Sequence, residues 1–359
     1  MRLCLFLIYL LCAYACDDQK STNRSAGEKH TSGVESKGGE RIEDSDHMGG
    51  QEITAGEMVA GEIAAGEIAA GEIVAGEIVA GEIVAGEIVA GEMNAETMNQ
   101  FKDISAGQSH TCGISLDGSL RCWGSNSHEQ ATPPEGVFTQ VSAGDLHTCA
   151  LRDDQSLHCW GDNRQGQTDV PEGRYIQVSA GADHVCAVRT DQTMACWGHN
   201  SYREAIALEG EFVMVSTAQR HSCALKTDQT VNCWGWNEFG QSTAPMTTFS
   251  FVTTGESTYR AQSCGVQTDG QLTCWGNGVG TLPEGVFSLV SVGGRHACAI
   301  QQDQTLACWG EDGEGQATVP EGTFKMITSG AEHNCAIDLD DHLVCWGKND
   351  QGQTNWQIP

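Results

Sequence analysis

The hydrophobic pattern between residues 101 and 359 repeats as three short apolar stretches separated by polar turns. A unit opens on a stretch such as FTQVSAGDLH, continues with one such as HTCAL, and crosses a polar turn such as DDQS to a third such as LHCWG. A connector rich in glycine and proline, such as NRQGQTDVPEG, closes the unit. Short β-rich stretches bounded by turn residues are typical of strands, and the short polar turn indicates a hairpin. Each unit is therefore predicted to form three strands.

The cysteines follow the same repeat. Fourteen of the seventeen lie in pairs spaced ten residues apart, and Trp-Gly follows the second member of every pair. Folding a hairpin about the midpoint of Cys149 and Cys159 places both on adjacent strands, where facing Cβ atoms lie ~4.5–5.5 Å apart, close enough for a disulfide after a slight adjustment. We predict seven disulfides: Cys112–Cys122, Cys149–Cys159, Cys186–Cys196, Cys223–Cys233, Cys264–Cys274, Cys298–Cys308 and Cys335–Cys345.

Zinc binding and redox catalysis are the competing interpretations of these cysteines. Zinc usually takes closely spaced Cys-x2–4-Cys knuckles, which the repeats lack, and a catalytic cysteine would not be copied seven times. We therefore expect structural disulfides, and no metal, cofactor or catalytic residue.

The spacing between units predicts the architecture. Successive first cysteines are 37, 37, 37, 41, 34 and 37 residues apart. A period of this size indicates a solenoid, a propeller or an array. An open β-solenoid would stack parallel coils, whereas these units contain an antiparallel hairpin, and small sheets arranged around an axis hide their edges. We predict an all-β, seven-bladed β-propeller over residues 101–359, with three-stranded blades, or four-stranded ones if each gains a further strand.

The motifs VSAGxxHxCAL and CWGxNxxGQ resemble the regulator of chromosome condensation repeat in its short bacterial form. The resemblance covers all seven units and implies a seven-bladed propeller whose members mostly bind proteins. The founding eukaryotic member is a guanine-nucleotide exchange factor for a nuclear GTPase, so exchange activity is a remote alternative. The repeat itself assigns no activity, because a fold hosts many functions.

The N-terminus carries an export signal. Arg2 precedes an apolar run that ends at Ala15, and the run is too short to span a bilayer comfortably. Ala15 followed by Cys16 resembles a bacterial lipobox, so residues 1–15 are predicted to be a signal peptide and Cys16 a lipidation site. The alternative is an ordinary secretory signal. The protein is expected in the bacterial cell envelope, as an outer-membrane or cell-surface lipoprotein, or otherwise secreted.

Two low-complexity segments precede the repeats. Residues 16–54 are polar and lack the apolar content of a core, which predicts a disordered linker. Residues 55–99 repeat a pentad of the AGEIV type, and a period of five fits neither a helix nor a strand. A partial helix and a two-coil β-solenoid are the alternatives to the predicted flexible, disordered stalk, whose 45 residues could reach ~150 Å if fully stretched.

Charge narrows the choice of partner. The formal net charge of −29 repels phosphate backbones and anionic lipids. We expect a monomer that binds no nucleic acid and meets a membrane only through a lipid anchor.

Two sets of repeated side chains are assigned to the framework. A histidine lies two residues before the first cysteine of six units, and Gln262 takes that position in the fifth. Equivalent residues of seven blades are spread around an axis and cannot converge on one metal, so these histidines are predicted to bond the turn backbone. The seven tryptophans of Trp-Gly are predicted to pack against neighbouring blades.

Residues that the repeat does not require are the binding candidates. Variation is concentrated in the connector after Trp-Gly and in the two positions before the histidine, where the fifth unit inserts four residues. The candidates for a partner-binding surface are Tyr202, Arg203, Trp236, Phe239, Tyr259 and Arg260, and Trp356 is a further non-repeating aromatic residue. The predicted function is protein binding through one face of the propeller, and the alternative is a carbohydrate-binding lectin.

Overall fold

The computed structural model describes residues 99–257, 260–278 and 280–356. The predicted signal peptide, the lipidation site Cys16, the polar linker, the pentads up to residue 98 and the candidate Tyr259 lie outside these ranges.

The described residues form seven antiparallel sheets of three strands, each made from consecutive strands in chain order. The strands are β1 Phe101–Ala106, β2 His110–Ser115, β3 Leu120–Gly124, β4 Phe138–Ala143, β5 His147–Arg152, β6 Leu157–Gly161, β7 Tyr175–Ala180, β8 His184–Arg189, β9 Met194–Gly198, β10 Phe212–Thr217, β11 His221–Lys226, β12 Val231–Gly235, β13 Phe249–Ser257, β14 Arg260–Gln267, β15 Leu272–Gly276, β16 Phe287–Val292, β17 His296–Gln301, β18 Leu306–Gly310, β19 Phe324–Ser329, β20 His333–Asp338 and β21 Leu343–Gly347. The prediction of an all-β, seven-bladed propeller is confirmed, and its blades have three strands.

The hairpin between the second and third strands has the predicted register. In the second blade Cys149 pairs with Cys159, and Leu151 pairs with Leu157. The S–S bond there is 2.07 Å, and all seven predicted pairs are joined in the same way. Each disulfide therefore links the two strands of one hairpin.

The hydrophobic core lies between blades. One cluster joins Cys112 and Ile114 of the first blade to Phe138 and Val141 of the second. Six further clusters of this kind follow around the ring, and the last joins Phe101 to Ile337 of the seventh blade. Because each first strand begins on a buried aromatic residue, every blade contributes one large side chain to the layer before it.

Backbone hydrogen bonds close the same ring. The amide of Phe138 donates to the carbonyl of Gly118, in the hairpin turn of the preceding blade, at 2.9 Å. The amide of Phe101 donates to Asp341 of the seventh blade at 2.8 Å, so the first and last blades meet as all the others do. None of the described residues belongs to a helix that could span a membrane.

Candidate binding face

The two variable positions lie side by side in every blade. The residue that follows Trp-Gly donates its amide to the carbonyl of the residue that precedes the histidine position, as Trp236 does to Arg220 at 2.8 Å. The same bond recurs in the other six blades, between Ser125 and Ser109, Asp162 and Leu146, His199 and Asp183, Asn277 and Ala261, Glu311 and Arg295, and Lys348 and Glu332. Both variable positions therefore open at the same end of the blades, opposite the hairpin turns.

Three of the candidates meet at this end, from two neighbouring blades. Tyr202, in the third connector, lies 6.3 Å from Trp236, in the fourth, measured between ring centroids. Phe239 meets Trp236 edge-on at 5.1 Å. The guanidinium of Arg220 lies 5.0 Å from the Trp236 ring and 5.7 Å from the Tyr202 ring. We call Tyr202, Arg220, Trp236 and Phe239 the aromatic–arginine cluster.

Part of the cluster faces solvent. Tyr202 is 43% exposed and Phe239 is 40% exposed, while Trp236 is half-buried. Arg203, which follows Tyr202 along the chain, is exposed and has a φ of 68°. The surface thus combines aromatic faces with guanidinium groups in a chain of strongly negative net charge.

A buried carboxylate positions Tyr202. Glu204 has no exposed surface, accepts the Tyr202 amide at 2.7 Å and pairs with Nδ1 of His199 at 2.5 Å. Glutamines occupy the equivalent position in five other connectors and accept the same amide there: Gln130, Gln167, Gln241, Gln316 and Gln353. The change from glutamine to glutamate brings in the additional partner His199.

The same turn contains a serine–histidine–carboxylate relay that no sequence motif indicated. Ser201 Oγ lies 2.9 Å from Nε2 of His199, whose Nδ1 faces Glu204. These distances suit activation of a nucleophile. However, Glu204 already serves as a framework acceptor, and an acyl-transfer site would also need preorganised oxyanion donors. We assign the relay to loop structure.

The remaining candidates lie elsewhere in the ring. The four-residue insertion lengthens β13 and β14 into a hairpin whose last described pair is Ser257 and Arg260. Arg260 lies 4.0 Å from Glu311 of the sixth blade, and Arg295 lies 3.4 Å from the same carboxylate. Arg260 therefore belongs to an exposed ionic group, and Tyr259 is outside the described residues.

Trp356 closes the core and does not join the cluster. Its ring lies 5.0 Å from Trp123 and 5.2 Å from Phe101, and the guanidinium of Arg121 lies 5.6 Å from it. As a non-repeating aromatic residue it stays a predicted binding candidate, and its ring also fills the layer between the first and seventh blades.

The repeated histidines link blades. Nε2 of His110 lies 2.8 Å from Thr148 Oγ1 of the next blade, and this hydroxyl donates to the carbonyl of Gln130. The hydroxyl must therefore accept from the histidine, which fixes the imidazole proton on Nε2. His333 closes the ring through Thr111 at 2.9 Å. In five of the six histidines the predicted bond to the turn backbone is thus replaced by one to a side chain of the next blade, and His147 is the exception.

Burial keeps four of these histidines neutral. It lowers the pKa of His110, His184 and His333 to about 3 and that of His147 to about 4, with neighbouring histidines adding to the effect at His110, His184 and His333. No group of metal-ligating side chains occurs within the described ranges. The turn aspartates are engaged locally, as Asp154 accepts both the amide and the hydroxyl of Ser156.

Arg220 and the Glu204–His199 pair are the residues that sequence reasoning missed. Arg220 lies in a position that reads Ser, Leu, Asp, Arg, Ala, Arg and Glu around the ring, and Glu204 departs from a glutamine that is otherwise repeated. Both departures were visible signals. Their contacts were not, because Glu204 meets His199 through the fold of one connector and Arg220 meets Tyr202 only where neighbouring blades adjoin.

Five segments of the chain match the family model of the Regulator of chromosome condensation (RCC1) repeat. They are residues 101–130, 138–167, 175–204, 216–241 and 325–353. The fifth and sixth blades fall outside these matches but have the same three-stranded topology. A search of curated proteins gave no match.

Among solved structures, the CRINKLY WD40 ectodomain of the Arabidopsis thaliana receptor kinase ACR4 is similar, with 25% identity over 69% of this chain and 97% of that chain and a TM-score of 0.59. The ectodomain of the Physcomitrella patens receptor kinase CR4 has 24% identity over 68% and 72%, with the same TM-score. Yeast RCC1 (Prp20), solved bound to Kap60, has 15% identity over 78% and 87%, with a TM-score of 0.56.

Proposed function

Since the chain belongs to the family of regulator of chromosome condensation repeat proteins, we propose that it is an exported protein-interaction module and that the aromatic–arginine cluster is the centre of its binding face. The observation that carries this proposal is the contact of exposed, non-repeating aromatic residues from two blades around Arg220. Tryptophan, tyrosine and arginine are the residue types enriched in binding hot spots. The repeat does not require these residues, so stability alone does not account for them.

Relatives support a protein partner. Yeast RCC1 was solved bound to Kap60, and the ACR4 propeller is a receptor ectodomain. Seven disulfides suit an oxidising compartment, which supports export.

Capture from an envelope extract tests the binding face. The full chain should retain a partner that Trp236→Ala releases, with an affinity loss of at least ~1–2 kcal/mol. Leu116→Ala is the control, because Leu116 is 49% exposed and lies in a hairpin turn at the opposite end of the first blade. Equal capture by both variants would reject the cluster as the binding centre. Retention on a glycan array, lost in Trp236→Ala, would favour the lectin alternative.

The anchor is tested separately. We propose that Cys16 carries the lipid, so Cys16→Ala should move the protein from the membrane fraction to the soluble fraction or leave it unprocessed. Unchanged fractionation and migration would contradict the lipoprotein proposal.

We also propose that the chain is not an enzyme. Ser201 is then expected to remain unlabelled by a fluorophosphonate probe, and labelling that His199→Ala abolishes would show that the relay is active.

A further inference from the structure

The third strand of the first blade has an open outer edge. β3 pairs with β2 on one side, and no strand of the described residues lies on its other side. The amide of Ser115 donates to the carbonyl of Ser119 at 2.9 Å, which makes these two residues a hydrogen-bonded pair. Cys112 faces Cys122 with Cα atoms 4.1 Å apart, the close spacing of a pair that exchanges no backbone bond. Because the two kinds of pair alternate, Leu120 and Cys122 point their amides and carbonyls outward.

A cavity of about 540 Å³ lies over this edge. Cys122 packs towards the second blade and Trp123 towards the seventh, yet both line the cavity. It therefore crosses the edge of the strand and does not lie on one face of the sheet. Pro133 of the first connector and Trp356 of the seventh form its walls. An extended occupant would thus meet outward backbone groups and two tryptophan rings together.

The seventh connector distinguishes this edge from the others. Its ninth residue after Trp-Gly is Trp356, whose ring lies 5.0 Å from that of Trp123. The same position in the other connectors of equal length holds a smaller residue, namely Pro133, Val170, Ala207, Ala244 or Val319. The first blade alone therefore has an aromatic wall along its outer strand from this position.

The third blade provides a contrast within the same framework. The carbonyl of Met194, which corresponds to Leu120, accepts a hydrogen bond from Arg189 at 3.0 Å. No such cap reaches the outward groups of Leu120 and Cys122 from the described part of the chain. These groups are therefore available to bond with an added strand.

We propose that the edge of β3 and its cavity form a second docking surface, which takes an extended segment of a partner protein as a fourth strand of the first blade. Backbone groups of the segment bond to Leu120 and Cys122, and alternate side chains enter the cavity beside Trp356. A second copy of this chain would bring another net charge of −29 to the contact and be repelled. The fitting segment is uncharged or basic, with an apolar residue at every second position. This surface does not include the aromatic–arginine cluster, so the inference stands apart from the proposed binding face.

Selection of a random-peptide phage library on the full chain, followed by amide hydrogen exchange, tests the proposal. With a selected peptide at about ten times its Kd, exchange of the Leu120 and Cys122 amides should slow about tenfold, because only about one molecule in ten remains unbound. The corresponding amides of Met194 and Cys196 in the third blade should keep their rates. Nuclear magnetic resonance resolves the four amides.

Changes to the peptide distinguish strand addition from filling of the cavity alone. N-methylation of the peptide residues whose amides face β3 removes their N–H donors and should weaken binding at least tenfold. N-methylation of the intervening residues should leave the Kd unchanged. This measurement leaves the protein unaltered, so it does not depend on the folding of a variant.

A pair of protein variants tests the aromatic wall. Trp356→Ala should weaken peptide binding by at least about fivefold. Val319→Ala, in the same position of the sixth connector, is the matched control and should bind normally. Equal binding by both variants would show that the peptide does not use the cavity.

Several results would overturn the proposal. They are a selection that enriches no peptide, and peptides or glycans that bind while the Leu120 and Cys122 amides exchange as before. Protection that grows with protein concentration in the absence of peptide would identify a second copy as the occupant. Peptides that Trp236→Ala releases while these amides stay unprotected would belong to the cluster, so either proposal can fail alone.

Discussion

The fourth blade carries two tryptophans, Trp234 and Trp236, that are separated by one glycine and belong to different regions of the molecule. Trp234 belongs to the repeated framework: its Nε1 donates to the carbonyl of Glu204 at 2.8 Å, and its ring packs against the core between the third and fourth blades. Trp236 is not repeated in the other blades. It contacts Tyr202, Phe239 and Arg220 at the end of the blades opposite the hairpin turns. The same residue type thus serves stability in one position and surface chemistry in the other.

This difference separates two kinds of position in a repeat protein. Repeated positions make the same inter-blade contact around the ring, so their side chains are set by the need to close it. The two adjacent variable positions share one backbone hydrogen bond in every blade, and that bond leaves their side chains free to differ. Changes in the first kind of position should lower stability, and changes in the second should alter recognition.

Reduction of the disulfides should produce the largest effect on the framework. Each closed loop of ~11 residues contributes at most ~2.8 kcal/mol in the chain-entropy model, or ~19 kcal/mol for seven. The stability of a domain is typically ~5–15 kcal/mol, so reduced protein should be unfolded at 25 °C. Circular dichroism with and without reductant measures this, and mass spectrometry should find no free thiol among the fourteen. Retention of the β-sheet signal after full reduction would contradict it.

Acid should produce the next largest effect. The unfolded histidines titrate near 6.5, whereas His110, His184 and His333 titrate at about 3 and His147 at about 4 in the folded protein. Between these pH values the unfolded state binds more protons than the folded state. The contribution of these histidines to the free energy of unfolding is therefore at its full value above pH 6.5 and decreases as the pH falls. At pH 5 the loss is ~2 kcal/mol for each histidine.

One carboxylate opposes this loss, and the fifth blade supplies a control. Burial raises the pKa of Asp103 to about 7, so its contribution to the free energy of unfolding grows as the pH falls. This gain offsets the loss from about one histidine.

Because Gln262 occupies the histidine position of its blade, His184→Gln should reduce the loss of unfolding free energy between pH 7 and 5 by ~2 kcal/mol. Urea unfolding at both pH values measures it. An identical pH dependence in both proteins would show that His184 titrates normally when folded.

The framework was predictable from sequence because its information is periodic. The ten-residue cysteine spacing gave the pairing of Cys149 with Cys159, and the 37-residue period gave the seven blades. The cluster was only partly predictable. Tyr202, Trp236 and Phe239 were recognised as departures from the repeat, but their meeting around Arg220 depends on how successive blades are placed around the axis.

Departure from the repeat does not by itself separate exposed positions from packed ones. It marked Trp356, whose ring packs against Phe101 and Trp123 in the layer between the first and seventh blades. It also grouped Arg260 with Trp236, although the extended hairpin directs Arg260 towards Glu311. Sequence variation identifies positions that are free to differ, and packing decides which of them face solvent.

Replacing each tryptophan of the fourth blade by alanine tests the comparison directly. Trp234→Ala removes an inter-blade hydrogen bond and core contacts, so it should cost roughly 3 kcal/mol of unfolding free energy. Trp236→Ala removes contacts at an open surface and should cost less than ~1 kcal/mol. Calorimetry of both variants gives the two melting temperatures. Equal losses would mean that the cluster belongs to the framework, and its assignment as a binding surface would lose its support.

The smallest expected effect separates two arginines in the same position of different blades. Arg220 lies 5.0 Å from the Trp236 ring, whereas Arg295 lies 3.4 Å from the Glu311 carboxylate. The Arg295–Glu311 pair is exposed, so a double-mutant cycle should give a coupling of ~0–0.5 kcal/mol that disappears in 1 M salt, where the Debye length is ~3 Å. The Arg220–Trp236 cycle should give ~0.5–1 kcal/mol, most of it retained in salt because the guanidinium is packed against the ring. Urea unfolding of the single and double alanine variants at low and high salt measures both couplings. If the Arg220–Trp236 coupling also disappears in salt, Arg220 behaves as an exposed ionic residue like Arg295, and the two positions do not differ in the way proposed.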